Sequence, residues 1–218
     1  MEKELQNRLI TELKPTEEGL NSALQKWKES KTTIKKEYIL CNLFLYDNRS
    51  EDIVKLKVET LNLYYSTRIL AVGVVSRHIV DVFAHKDEKM LTVDYNSQDE
   101  KVFDLVDEIA KVTFNLSDNS VAVRNMFSFA TKYCSFHNPD AFYIYDRNVV
   151  AVLKLFKNDF GGKFSEKELR SYKCFRQIME QFRNYYGFDK YSCKELDIYL
   201  WQLGDKILNP ESPGVVKN

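Results

Sequence analysis

The chain has 218 residues, 44% of them apolar and 13% aromatic, and its 32 Lys and Arg are matched by 32 Asp and Glu. That length suits one domain with a sizeable core, and a net charge of zero argues against a protein that coats nucleic acid nonspecifically. A mean hydropathy of -0.42 and the lack of any apolar run approaching about twenty residues exclude a membrane-spanning helix of ordinary length.

The opening Met-Glu-Lys-Glu-Leu-Gln has no cationic segment followed by an apolar one, so a cytoplasmic protein without a secretory leader is expected. Leu5, Leu9 and Leu13 predict a short first helix over residues 3–14, stopped by Pro15. Thr16 opens a second, running to about Ser30 with Leu20, Leu24 and Trp27 inward. Residues 37–46 are apolar nearly all round, and their length and lack of alternation favour a buried helix over a strand. Ser50 caps a helix to Tyr64, and Tyr64-Tyr65-Ser66-Thr67-Arg68 forms a junction. An apolar helix then spans residues 69–83, with Gly73 allowing close packing.

Residues 85–96 read as a loop with one strand-like piece at 90–94. Ser97 and Glu100 form a capping box for a helix over 99–112, and residues 115–120 make a polar turn. Met126, Phe129, Ala130 and Tyr133 recur at helical spacing and predict a helix over about 122–136. Its other side carries Ser128, Thr131, Lys132 and Ser135, a lysine among small hydroxylated residues, which suggests a groove. Asn138-Pro139-Asp140 ends that helix. A hydrophobic passage, Phe142 to Tyr145, delivers Asp146 to the start of another helix with the stripe Val149, Val150, Leu153 and Phe156. An aspartate there satisfies free amides and is favoured by the helix dipole. Lys132 and Asp146 are therefore either an amine and a carboxylate facing each other across a cleft, or an exposed lysine and a helix cap.

Lys157 to Phe164, with Gly161-Gly162, reads as a flexible loop. Ser165 and Glu168 box a helix to Tyr186 that buries Leu169, Tyr172, Phe175, Ile178, Phe182 and Tyr185. Ser192 and Glu195 box a last helix with Leu196, Leu200, Leu203 and Ile207 inward. The whole reads as an all-α bundle of about nine or ten helices, a single domain over residues 1–209 with a flexible tail over 210–218.

Cys41, Cys134, Cys174 and Cys193 are scattered, with no Cys-x-x-Cys pair and no histidine at ligand spacing, so no metal site is expected. Cys134 has His137 three residues on but no third member to make a nucleophilic arrangement. Charge is uneven along the chain. Residues 51–120 hold eight Lys and Arg against thirteen Asp and Glu, whereas 147–194 hold eleven against five, as expected if one face meets phosphates.

Ser128-Phe129-Ala130-Thr131-Lys132-Tyr133, followed by Ile144-Tyr145-Asp146-Arg147-Asn148-Val149, resembles the lysine helix and following aspartate of the helix-hairpin-helix DNA glycosylase superfamily, nearest to bacterial 8-oxoguanine DNA glycosylase-like proteins. Tyr65-Ser66-Thr67-Arg68-Ile69 and Leu200-Trp201-Gln202-Leu203-Gly204 are similar to segments of small bacterial members, extending the resemblance over about residues 60–205. The resemblance implies a compact multi-helix fold of that kind and a DNA glycosylase, with or without lyase activity, that needs no cofactor. Lys132 would be the nucleophile and Asp146 its helper. It implies DNA as partner, with Arg68, Arg147, Lys154 and Lys163 as candidate phosphate contacts. An extruded base would lie against Phe127, Tyr133, Phe142, Tyr143 or Tyr145. One departure stands out: Val123-Arg124-Asn125-Met126-Phe127 replaces the hairpin's glycine-rich turn. That departure keeps open a non-catalytic helical module binding DNA or a protein partner, with phage defence as one setting.

Overall fold

A computed structural model describes residues 2–86, 91, 100–118 and 120–210, and these are mostly helical. Apart from the buried Leu91, the expected strand-like piece at 90–94 lies outside the described residues, as do Ser97 of the expected capping box and the tail beyond 210. Helices α1 (Glu2–Glu12), α2 (Glu17–Glu29), α3 (Lys31–Phe44), α4 (Glu51–Tyr65) and α5 (Val72–Ala84) form the first half. Helix α6 (Glu100–Ala110) leads into strands β1 (Lys111–Asn115) and β2 (Val121–Asn125). Helices α7 (Phe127–His137), α8 (Arg147–Leu155), α9 (Tyr172–Tyr185) and α10 (Cys193–Leu208) complete the order.

The caps act where the sequence places them. Thr16 and Ser50 accept backbone amides from Gly19 and Ile53, and Ser192 with Glu195 closes a full capping box at the start of α10. At Ser165 and Glu168 the box also forms, but it tightens only a single 3-10 turn, Glu168–Arg170, and α9 proper starts at Tyr172. Tyr185, expected inside, is exposed. Helix α3 starts earlier than expected and is not buried all round, since Tyr38, Ile39, Leu45 and Tyr46 reach solvent. Trp27 is only half-buried, beneath the Lys194 ammonium 5.5 Å from its ring centre.

The main departure lies just before the lysine helix. Residues 111–115 and 121–125 pair antiparallel, Lys111 with Asn125 and Asn115 with Val121. Val112-Thr113-Phe114 and Val121-Ala122-Val123 are β-rich and alternate. Val112 is sealed in the core while Val121 and Val123 face solvent. Asp118 Oδ1 accepts both the Ser120 amide and its hydroxyl, and this fixes the turn. The hairpin ends in a bond from the Met126 amide to Ala110 O (2.7 Å), which sets where α7 begins.

One apolar core runs from Leu20 on α2 to Leu203 on α10. Within it α10 packs most extensively on α8, and Gly204 sets how closely: a β-carbon there would meet Asn148 O at 2.2 Å. Gly73 has no such neighbour, with nothing within 4 Å of an added β-carbon, so it does not serve close packing. Gly204→Ala is therefore expected to destabilise the protein by about 1–3 kcal/mol in urea unfolding, while Gly73→Ala is neutral to slightly stabilising.

Candidate functional site at the start of the eighth helix

The centre of the site is built by α7 and the connector that follows it. Thr131, fully buried, donates its hydroxyl to Ser128 O (3.1 Å) and accepts the Tyr145 amide (3.0 Å). Two residues earlier, Tyr143 is held from both sides by the Tyr172 hydroxyl, which accepts its amide (2.8 Å) and donates to its carbonyl (3.4 Å). The connector is thus tied to α7 by Thr131 and to α9 by Tyr172, and Asp146 arrives beside Lys132.

The Lys132 side chain is 3% exposed, and its Nζ donates to Ser128 Oγ (2.9 Å), Tyr145 O (3.4 Å) and Asp146 Oδ2 (3.2 Å). Asp146 caps α8 with its other oxygen, Oδ1, which accepts the Asn148 amide (3.0 Å). Both readings of the pair hold at once: the aspartate is a helix cap and it faces the lysine. The Tyr65 ring, ending α4, lies under the ammonium at 6.0 Å. Arg68, three residues on, is exposed with a positive φ of 57°.

Two further helices close the site. Lys194 of α10 pairs with Glu37 of α3 (2.7 Å), and its ammonium sits over the Phe136 ring at 5.0 Å. Asp197, one turn on, is partly buried within electrostatic reach of Lys194, Lys132, Asp146 and Glu37. Burial pushes its carboxyl up to about 6; Asp146 and Glu37 add to the rise, and Lys194 and Lys132 oppose it. Burial also raises the Tyr65 phenol well above its ordinary value, aided by Glu37, Asp197, Cys41 and Asp146, so it stays protonated. Tyr65 opens a segment that the sequence singles out, without assigning it a role, whereas Glu37 and Asp197 are not legible as site residues in the sequence. The available signal for Asp197 is its i, i+3 spacing from Lys194, two charged residues on one side of a helix that otherwise buries leucines.

Other expected site residues fall elsewhere. Phe127, Tyr133, Phe142 and Tyr143 are core residues with no face left for a base. Phe142 packs on Phe103 and Tyr172, and the Tyr133 hydroxyl donates to Asn48 Oδ1 (2.6 Å). Tyr145 alone of the five is partly exposed, edge-on to Phe127 and Phe175. Arg147, Lys154 and Lys163 are exposed; Arg147 adjoins Asp146, and Lys154 is engaged by Glu166. Cys134 is fully buried and burial raises its thiol. His137 bonds Asn48 and lies 3.5 Å from the buried Lys57 ammonium, and burial first, then Lys57, keeps its imidazole neutral. The two do not form a nucleophilic pair. Among the described residues no cluster of three or more His, Cys, Asp or Glu is placed to hold a metal, and no helix is long and apolar enough to cross a membrane.

The chain matches the HI_0787_N family, described as an N-terminal domain, over residues 19–141. It is 35% identical over 172 residues to an uncharacterized protein of Haemophilus influenzae, covering 78% of this chain and 75% of that protein. The chain belongs to the HI_0787_N family. No solved structure matches it. The matched segment contains Lys132 but stops before Asp146 and Asp197, so the site is completed by α8 and α10 outside it.

Two outcomes follow from this geometry. Thr131→Val removes the acceptor of the partly buried Tyr145 amide, and is expected to cost about 1–3 kcal/mol in denaturant unfolding. Because the folded protein holds the Asp197 proton more tightly than the unfolded chain does, the stability tied to this group is complete below about pH 4 and is lost as pH rises through about 6. Asp197→Asn is therefore expected to raise Tm near pH ~7 and to change it little near pH ~4 by scanning calorimetry.

Proposed function

We propose that the protein is a DNA glycosylase, with lyase chemistry available at the same lysine, acting on a damaged or modified base. One observation carries this reading: a nearly buried lysine amine lies 3.2 Å from an aspartate at a helix N-terminus. The resemblance around Lys132 and Asp146 supports it, as does the packing of α10, which carries Leu200 to Gly204, against the first turn of α8. The finer fold departs from the helix-hairpin-helix pattern at one point, since strands β1 and β2 rather than a helix and a glycine-rich turn precede α7.

In this reading the Lys132 amine attacks C1′ of the deoxyribose, the bond to the base breaks, and a Schiff base can form at the sugar. Asp146, held by the Asn148 amide at the α8 N-terminus, stabilises the positive charge that develops on the sugar. Tyr145 and Tyr65, partly exposed beside the amine, are the rings available to an extruded base. Arg147 and Arg68 are the exposed cations suited to flanking phosphates, with Lys154 and Lys163 further along the chain.

A second reading, a non-catalytic helical module that binds DNA or a protein partner, is favoured by the same ammonium being 3% exposed and already donating to three oxygens. Borohydride trapping separates the two. With duplex DNA carrying an abasic site, the wild type is expected to give a covalent adduct and Lys132→Ala none. Equal trapping by both removes Lys132 as nucleophile. No trapping by either, with duplex binding unchanged in the variant, selects the module.

A further inference from the structure

Both of the chain's tryptophans border one hollow. It lies between α1, α2 and the second half of α10, has a volume of about 760 Å³, and is walled by Trp27, Trp201, Leu9, Leu13 and Pro210. That size and that apolar lining are those of a small-molecule site. Lys132, Asp146 and Tyr65 do not line it, so it is separate from the lysine centre. A smaller hollow of about 170 Å³ adjoins it, and Lys26 and Lys206 border both. The two differ in charge. The larger is balanced, with three cations against three acids, whereas the smaller holds Lys14, Lys26 and Lys206 against Glu12 alone. The acids of both are already engaged: Glu12 accepts from Arg8 (3.3 Å), Glu29 from the Gln25 side-chain amide (2.8 Å) and Asp205 from Asn209 Nδ2 (2.9 Å). Gln202 donates to Ala23 O, and Ser30 and Thr33 bond each other. Among the described residues no acid lies within ion-pair distance of Lys14, Lys26 or Lys206.

We infer that the joined hollows bind a small ligand with a flat ring at one end and a phosphate at the other, the build of a free nucleoside monophosphate. The ring lies in the larger hollow against the indoles, whose faces stack on any flat ring system. Trp201 is 47% exposed, although its backbone is fixed to α8 by the Asn148 side chain, so ring area remains there for a ligand to cover. The phosphate lies in the smaller hollow, where the three ammoniums supply the charge-assisted bonds that its oxygens accept. Lys26 and Lys206 stand where the two hollows meet, so they fix how far the ring and the phosphate are apart. A nucleoside without phosphate leaves the cations unmatched, and phosphate without a ring leaves the indoles uncovered. The ligand must carry both. The inference goes beyond the glycosylase reading and does not rest on it.

The chain has no third tryptophan, so the indole emission of the full chain reports on this place alone. Deoxyadenosine monophosphate is expected to change that emission saturably, with deoxyadenosine and inorganic phosphate each binding about 10-fold more weakly or worse. Lys26→Ala combined with Lys206→Ala, two exposed positions outside the core, is expected to weaken the monophosphate about 10-fold and to leave deoxyadenosine unchanged. Trp201→Ala, followed by titration calorimetry, is expected to weaken both about 10-fold. Lys132→Ala is expected to bind like the wild type. The absence of any saturable response to the monophosphate overturns the site. A double lysine variant that holds the monophosphate as tightly as the wild type overturns the phosphate assignment. Binding lost in Lys132→Ala moves the ligand to the lysine centre and overturns the inference as well.

Discussion

An ammonium removed from water must be met by acceptors, or its burial costs far more than a fold of this size can bear. Lys132 is nearly sealed, and the local structure can be read as the means of satisfying it. Ser128 lies one turn back on the same helix, so its hydroxyl is in reach without further arrangement. The other two acceptors belong to a different segment and must be carried in. Thr131 does this by holding the Tyr145 amide, and Tyr172 does it by holding Tyr143 at both backbone groups. The connector is short, largely buried and fixed at two points, which is why Asp146 can begin a helix and face the amine at once.

Much of this was legible in the residues. The hydroxylated face of α7, the break at Pro139 and the capping role of Asp146 follow from spacing and from the chemistry of helix ends, and all three stand in the structure. What failed did so for identifiable reasons. Met126 sits in phase with Phe129 and Tyr133, so the periodicity carries the helix back too far. The alternating valines before it are satisfied by pairing with residues 111–115, a contact no local pattern announces. The rings near the lysine were ambiguous because Phe and Tyr serve cores and sites alike. Four of them turn inward, where Tyr172 packs on Phe127 and Phe142, Phe103 packs on Phe142, the Tyr172 hydroxyl bonds the Tyr143 backbone and Asn48 accepts the Tyr133 hydroxyl. Asp197 was hidden by distance, some fifty residues downstream on a helix whose leucines dominate its pattern.

The family match bears on the same point. The shared segment ends inside the connector that joins Lys132 to Asp146, so the amine belongs to the matched portion and its carboxylates to the helices beyond. With 78% of the chain aligned to the Haemophilus protein, the match to that relative is longer than the N-terminal segment alone. The site is thus a junction, assembled where α7 meets α8 and α10, rather than a property of either part.

The close approach at Gly204 has a consequence for how the protein comes into being. Helix α10 is the last described helix to leave the ribosome, and its docking on α8 joins residues more than fifty positions apart. A nascent chain that has reached the end of α8 holds the amine and its first carboxylate, yet not Asp197, and its Asn148 surface is still uncovered. Completion of the site therefore waits until α10 has been made and has docked on α8.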